Sequence, residues 1–296
     1  MDFLIQNFGY LGGYSIAVLF IFFRYAIFAG IPFVIFYHWR KQKNKAAKIQ
    51  KREVKSKQIW MEIGYSTMTA FIFAALGVGI YWMTQHGWTK IYTDVNEYGT
   101  AYFITSIFIL MFVHDAYFYW MHRAVHHPKI FPYVHKVHHL SSNPTPWTSF
   151  SFNASEAVLE LGIVPIVLML IPMHFGAVLI FFFISLAFNV MGHLGYEIMP
   201  KNWVRHPILK WFNTPTHHNM HHARGNGNFG LYFNFWDTWM GTNHKNYIKT
   251  FDAIVARRDA AAVEEARKLF KNGCLTRKIE ILSEDELQKT EFSSAK

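Results

Sequence analysis

The chain has 296 residues, of which 52% are hydrophobic and 18% aromatic, and it carries a formal net charge of +10. These apolar fractions are high for a soluble domain and indicate a protein that contacts lipid. Nucleic-acid binding is a rival explanation for the positive charge. It is disfavoured, because the main basic run, residues 40–57, lies between two apolar stretches and lacks interleaved aromatic residues.

Two apolar stretches near the N-terminus predict membrane helices. Residues 63–83 contain no charged side chain over 21 positions, which is enough to cross a bilayer. Residues 10–39 form a longer run, interrupted by Arg24. If the span covers residues 18–38, Arg24 lies near its outer end, and we expect its side chain to reach the headgroups. A functional intramembrane arginine is the alternative.

The basic run between these stretches sets the expected orientation. Residues 40–57 hold nine lysines and arginines against one glutamate, a bias typical of cytoplasmic loops. Residues 63–83 then lead outward and residues 101–120 lead back. The later apolar block, 161–191, is interrupted by Pro165 and by a turn at 172–176, which predicts a helical hairpin. The hairpin must cross the membrane twice, or not at all, for the histidine-rich segments on either side of it to meet.

These elements predict an all-α, polytopic membrane protein with four to five membrane helices, including the hairpin, and a cytoplasmic, histidine-rich helical cap. We assign residues 1–251 to a membrane-embedded domain whose core is 108–242. Residues 252–296 are predicted to form a soluble cytoplasmic helical tail.

Histidines supply the strongest functional pattern. They fall in clusters with spacings of three and four residues, which place side chains on one face of a helix. Imidazole is a common ligand of iron, copper, nickel and zinc. Nine positions are too many for one ion, so we predict two ions. The predicted ligands are His122, His126, His135, His138, His139, His193, His218, His221 and His222.

Several kinds of metal chemistry fit this pattern poorly. The single cysteine, Cys274, lies far downstream, so thiolate sites are disfavoured. Bis-histidine haem needs fewer histidines, a zinc hydrolase needs a nearby glutamate base, and a zinc transporter binds its ion at the bilayer midplane. A di-iron site that activates dioxygen beside lipid fits best; because histidine sites generally bind zinc more tightly than ferrous iron, zinc can replace iron in purified material.

Four motifs carry a resemblance to a known family: YWMHRAVHH, HKVHHLSSNPTPWTSF, GHLGYE and HHNMHHARGNGNFGLYFNFWDTWMGT. Together they resemble the fatty acid hydroxylase, or sterol desaturase, superfamily of integral membrane oxidoreductases. The resemblance covers about residues 108–242. It implies that the nine histidines bind two irons, that dioxygen is a co-substrate, and that a fatty acyl, sterol or related lipid is hydroxylated or desaturated.

Two departures accompany the resemblance. Asn153 stands where several sterol-acting members have a histidine, so that ligand is either absent or replaced by a water held on Asn153. The haem motif of a fused cytochrome b5 domain does not occur either, which implies a separate electron donor, either cytochrome b5-like or a ferredoxin with its reductase.

Several further residues are candidates for supporting the ligands, since metal-bound histidines usually donate their second N–H to another group. The candidates are His114, Asp115, Asn153, Glu156, Glu197 and Asp237. We expect a bacterial inner membrane or the endoplasmic reticulum as the location. The alternative to an enzyme is a membrane metal-binding or scaffold protein with the same fold and no turnover.

Overall fold

The computed structural model describes residues 2–271 and has the predicted all-α class. Two-residue strands β1 (Ile91–Tyr92) and β2 (Met173–His174) form one short parallel pair. The α-helices of the described residues are α1 Asp2–Phe33, α2 Lys41–Asn44, α3 Ser56–Gln85, α4 Gly99–Val125, α5 Phe131–Val134, α6 Lys136–His139, α7 Ala154–Leu170, α8 Phe175–Gly192, α9 Pro215–Arg224, α10 Phe235–Trp239 and α11 Tyr247–Lys271.

Four segments of the described chain are long and apolar enough to cross a membrane, namely Ile5–Trp39, Ser56–Gln85, Gly99–Val125 and Phe175–Gly192. The first of them combines α1 with the π-helix Val34–Trp39 that continues it. Pro32 lies just before this change. Because proline has no N–H to donate, it interrupts the regular hydrogen-bond ladder where the helix widens.

Helices α7 and α8 form the predicted hairpin. Their connection lies at the end of the molecule where α3 leads into α4, because the Lys90 main chain donates to Leu168 O at 2.7 Å and Ile91 pairs with Met173. The expectation that Pro165 interrupts the block is wrong, since Pro165 lies inside the continuous helix α7. One missing N–H inside a packed helix is tolerated where neighbouring groups satisfy the freed carbonyl.

The opposite ends of the long helices all meet the histidine-rich segments. Tyr37, after α1, donates to Leu194 O at 3.1 Å, and Glu62 of α3 accepts from Thr145. The last residue of α4 precedes His126, and the last residue of α8 precedes the isolated histidine at 193. The hairpin therefore runs away from the histidines and returns to them, as an even number of crossings requires.

Arg24 lies between α1 and α8. Its guanidinium carbon is 5.5 Å from the ring centre of Phe183 and 5.9 Å from that of Phe182. Cation–π contacts of this kind stabilise an arginine in apolar surroundings. The side chain is thus packed against aromatic rings in the second half of α1.

Helix α11 packs against the cap with its first nine residues. Tyr247, Phe251 and Val255 are buried in one cluster with Met199 and Met220, while its last twelve residues before 271 are largely exposed. The predicted boundary at residue 252 falls inside this helix. The remainder of the predicted tail, residues 272–296, and Cys274 with it, lies outside the described residues.

Candidate metal centre

The nine predicted histidines lie at one end of the helix bundle and form two adjacent groups. The first group contains His122, His126, His135, His139 and His221, and the second contains His138, His193, His218 and His222. Within each group the candidate ligand nitrogens lie within 4.8 Å of one another. All four members of the second group are buried, whereas two members of the first are partly exposed.

The two HxxHH motifs are each divided between the groups. His135 lies at the junction of α5 and α6 and joins the first group with His139, while His138 points to the second. In α9, His218 and His222 are four residues apart and share the second group, and His221 turns to the first. The groups are therefore neighbours, with the rings of His139 and His222 only 4.9 Å apart.

In several of the imidazole rings, a hydrogen bond to a main-chain carbonyl determines which of the two ring nitrogens carries the hydrogen. In the second group, His138 Nδ1 lies 3.2 Å from Ser151 O and His193 Nδ1 lies 2.7 Å from Asn189 O. A carbonyl oxygen only accepts, so each Nδ1 must be the N–H donor. In a neutral imidazole the other nitrogen, Nε2, then carries a lone pair and no hydrogen.

Those bare nitrogens face each other. His193 Nε2 lies 3.2 Å from His138 Nε2. In the first group, Nδ1 of His122 donates to Phe229 O at 2.8 Å, and its bare Nε2 is 3.1 Å from His135 Nε2. Between His138 and His193 no proton is available, so that contact is not a hydrogen bond. A cation between the nitrogens converts this repulsion into coordination.

The spacing of the nitrogens agrees with coordination. Facing Nε2 atoms in the two groups are separated by 3.0 to 3.2 Å. Two nitrogens each about 2.1 Å from one ion lie about 3.0 Å apart at a right angle and about 3.4 Å apart at the tetrahedral angle. The residues present therefore fit a pair of metal ions with imidazole ligands.

The rings are neutral at pH 7. Burial, together with the positive charge that neighbouring histidines would carry, lowers the pKa of His126 to about 2 and that of His139 to about 3. Burial likewise lowers the pKa of His193 to about 4. Metal binding requires neutral imidazole, so the ligands need not release protons before they bind.

Glu156 is an acidic side chain that contacts a predicted ligand. Its Oε1 lies 2.5 Å from His135 Nδ1, and both residues are almost completely buried. A carboxylate on Nδ1–H holds the ring in one orientation and increases the basicity of Nε2. The structure thus places Glu156 where it can support a candidate ligand, the role that we considered for it from the sequence.

Asp237 acts on the ligands through the main chain. Its carboxylate accepts from Phe229 N at 2.9 Å and from Gly230 N at 2.7 Å. This fixes the segment whose carbonyls receive the Nδ1 hydrogens, since Gly227 O accepts from His221 at 2.8 Å. A Cβ on Gly227 would lie 2.5 Å from Thr242 O, so the close approach of these two segments requires glycine.

The other candidates contact groups outside the nine rings. His114 bonds to Tyr232 Oη at 3.1 Å, and Asp115 accepts from Tyr232 N at 2.8 Å. Asn153 caps α7 by accepting from Ser155 N at 3.1 Å. Glu197 accepts from two main-chain amides, those of residues 199 and 216.

A buried carboxylate that sequence reasoning missed is Glu62, at the start of the second span. It accepts from Thr145 and from Gln58, the latter at 2.7 Å, and so holds the segment that leads to Ser151 O beside the second group. In the sequence, Glu62 could have been noticed as an isolated acidic residue between the basic run and the apolar stretch. The carbonyl acceptors were also missed, since a main-chain group leaves no trace in the sequence.

Comparison with known proteins agrees with this geometry. Residues 107–242 match the model of the fatty acid hydroxylase family. The chain is 29% identical to a Delta(7)-sterol 5(6)-desaturase of Gibberella zeae over 67% of this chain and 59% of the relative. It is 24% identical to lathosterol oxidase of Rattus norvegicus over 75% of this chain and 73% of the relative, and 28% identical to that of Homo sapiens over 64% and 62%.

The chain thus spans less than two thirds of the length of the Gibberella zeae relative. No solved structure gives a significant match. The family match includes every predicted ligand, and its bounds agree within one residue with the core predicted from the sequence motifs. The resemblance to the fatty acid hydroxylase/sterol desaturase superfamily is therefore confirmed by the match of residues 107–242 to that family and by the similarity of the chain to sterol desaturases.

Proposed function

We propose that this protein is a membrane di-iron oxidoreductase that uses dioxygen and external electrons to hydroxylate or desaturate a C–H bond of a lipid. The observation that carries the proposal is the pair of histidine groups whose Nε2 atoms face one another at 3.0 to 3.2 Å. Two redox-active ions side by side suit the reduction of dioxygen, and imidazole is a suitable ligand for iron.

A sterol is the first substrate to test. The relatives with the names given above are a Delta(7)-sterol 5(6)-desaturase and lathosterol oxidases. Their identity to this chain is 24% to 29%, so a fatty acyl chain is the second substrate to test.

The protein's own contribution is to fix and shield the ligands. Seven of the nine rings are buried, which keeps water away from the centre. Carbonyls of Ser151, Asn189, Gly227 and Phe229 hold Nδ1 hydrogens and aim Nε2 atoms inward. When bound, iron supplies the electron transfer to dioxygen on which removal of hydrogen from an unactivated carbon depends.

The balance of the reaction requires an electron donor. Desaturation consumes one dioxygen, two electrons and two protons together with two hydrogens from adjacent carbons, and releases two waters. Hydroxylation places one oxygen atom in the product and releases one water. We infer that a separate protein, a cytochrome b5-like carrier or a ferredoxin, supplies these electrons.

The histidine end of the bundle is proposed to face the cytoplasm. The basic run connects α1 to α3 at this end, and its Gln50 bonds to Asn219 of α9 at 2.9 Å. Basic loops beside membrane helices are retained on the cytoplasmic side. Labelling of a single introduced cysteine at Lys51 in sealed vesicles, in a Cys274→Ser background, tests this orientation.

The function is tested by metal analysis and product analysis together. Purified protein is expected to bind two irons per chain and, with dioxygen and a reductant, to convert lathosterol or stearoyl substrate into a product with a new double bond or hydroxyl. His138→Ala should abolish product, whereas His206→Ala, an exposed histidine outside both groups, should not. Two bound irons without product from any lipid under reducing conditions would instead favour a metal-binding protein without turnover.

A further inference from the structure

A surface pocket of about 500 Å³ opens beside the first histidine group. The residues that line it include Arg123, His126, His127 and Gly225. His126 belongs to both the pocket and the metal centre, and its Nε2 lies 3.1 Å from His221 Nε2. The pocket is therefore a direct route from the protein surface to a candidate ligand.

The two groups differ in their access to this surface. All members of the second group are buried, while His126 and His139 of the first group are partly exposed. Electron transfer between proteins is favoured by a short distance between redox centres. The edge of His126 is thus a suitable entry point for electrons.

The surroundings of the pocket are basic. Arg123 and His127 line it, and Lys129 donates its main-chain N–H to His127 Nδ1 at 3.3 Å. Arg224, which precedes the pocket residue Gly225, is exposed. Residues 116–155 contain no acidic side chain, and residues 198–251 contain only Asp237, which is completely buried.

We propose that this basic rim, defined as Arg123, Lys129 and Arg224, docks an acidic one-electron carrier protein and that electrons enter the centre through the edge of His126. The inference rests on the proposed function, because only a reaction that consumes external electrons needs such a partner. Opposite charges guide two proteins together and raise their association rate, particularly at low salt. Electron-transfer complexes need only a small interface, which the pocket and its rim provide.

The test compares a protein carrier with a small chemical reductant. Two acidic probes are used, a soluble cytochrome b5 domain and a ferredoxin, each kept reduced by its own reductase. Dithionite serves as the reductant that needs no docking. Product formation is measured for the unaltered protein, for Arg123→Glu with Lys129→Glu, and for a control, Lys51→Glu with Lys249→Glu, which changes the net charge equally at exposed lysines outside the pocket.

The rim variant is expected to need at least ten times more carrier for half-maximal turnover at low salt, and the difference should shrink as salt is added. Its metal content and its dithionite-driven turnover should equal those of the control, which shows that the centre is intact. An equal effect in the control, or no effect in the rim variant, overturns the docking surface. Absence of product from the unaltered protein even with dithionite contradicts the proposed function itself, so the two failures are distinguishable.

Discussion

Removing the carboxylate of Glu156 should weaken metal binding in the first histidine group alone. Glu156 bonds to His135 Nδ1 at 2.5 Å in a site that excludes water, and its second oxygen has no partner among the described residues. Loss of a group that orients a ligand costs about 10-fold to 100-fold in metal affinity, or about 1.4 to 2.7 kcal/mol.

The two replacements should fall at opposite ends of this range. Glu156→Gln keeps an oxygen that accepts from Nδ1–H but loses the charge, so we expect about a 10-fold loss. Glu156→Ala also removes the acceptor and leaves the buried Nδ1–H unsatisfied, so we expect about a 100-fold loss. Binding of Co²⁺ to the metal-free protein, followed by its visible absorption, resolves the two sites.

Glu160→Gln is the matched control. Glu160 lies one turn further along α7 and contributes none of the ligands. The second group, which has no bond to Glu156, should bind Co²⁺ with unchanged affinity in every variant. An equal loss at both sites, or an equal loss in Glu160→Gln, would show that the carboxylate supports the fold of α7 and not the orientation of His135.

Three further predictions concern stability. Since an unfolded histidine has a pKa of about 6.5, whereas burial lowers those of His126, His139 and His193 to about 2, 3 and 4, the unfolded chain gains protons that the folded metal-free protein cannot bind below pH 6.5. The free energy of unfolding should therefore decrease as the pH is lowered from 6.5 to 4, by up to about 1.4 kcal/mol per pH unit for each group, and should stay level above pH 7. A midpoint of thermal unfolding that does not change below pH 6.5 would contradict this. Gly227→Ala should destabilise the protein by about 1 to 3 kcal/mol through contact with Thr242 O, as measured by its midpoint of thermal unfolding, while Gly77→Ala, which has open space, should not. Chelation of both ions by EDTA should lower the same midpoint by several degrees, and re-addition of Fe²⁺ under nitrogen should restore it; no change would argue against structural coupling.

Most of the architecture could be predicted because it follows from the length of the apolar runs and from the even number of membrane crossings that the hairpin must make. The spans are long apolar runs, and histidines on both sides of the 161–191 block can meet only if that block returns to its starting side. The error at Pro165 arose from treating a proline as a break in the apolar block. Inside a packed bundle a proline removes one hydrogen bond without ending the helix, and the sequence alone does not show which neighbours compensate.

The candidate ligand positions could be chosen from the spacing of the histidines, but their division between two groups could not. An i, i+3, i+4 set shares one face only within a continuous helix. His135 precedes α6, so its direction depends on a junction between two short helices. Which carboxylate meets an imidazole is equally a matter of tertiary packing: Glu156 touches His135, whereas Glu197 and Asp115 bind the main chain.

The way the rings are held has a consequence for assembly of the centre. In both groups, Nδ1 atoms are fixed by carbonyls and one carboxylate. These acceptors belong to four different parts of the chain, namely the segment after α6, helix α7, helix α8 and the segment after α9. These bonds aim bare nitrogens at one another, which is unfavourable in the absence of a cation. The scaffold, built by the α4, α7 and α8 core, therefore stores electrostatic repulsion that metal binding relieves. Metal affinity and fold stability therefore depend on the same set of interactions. A substitution that stabilises the metal-free protein by relieving this repulsion should weaken metal binding.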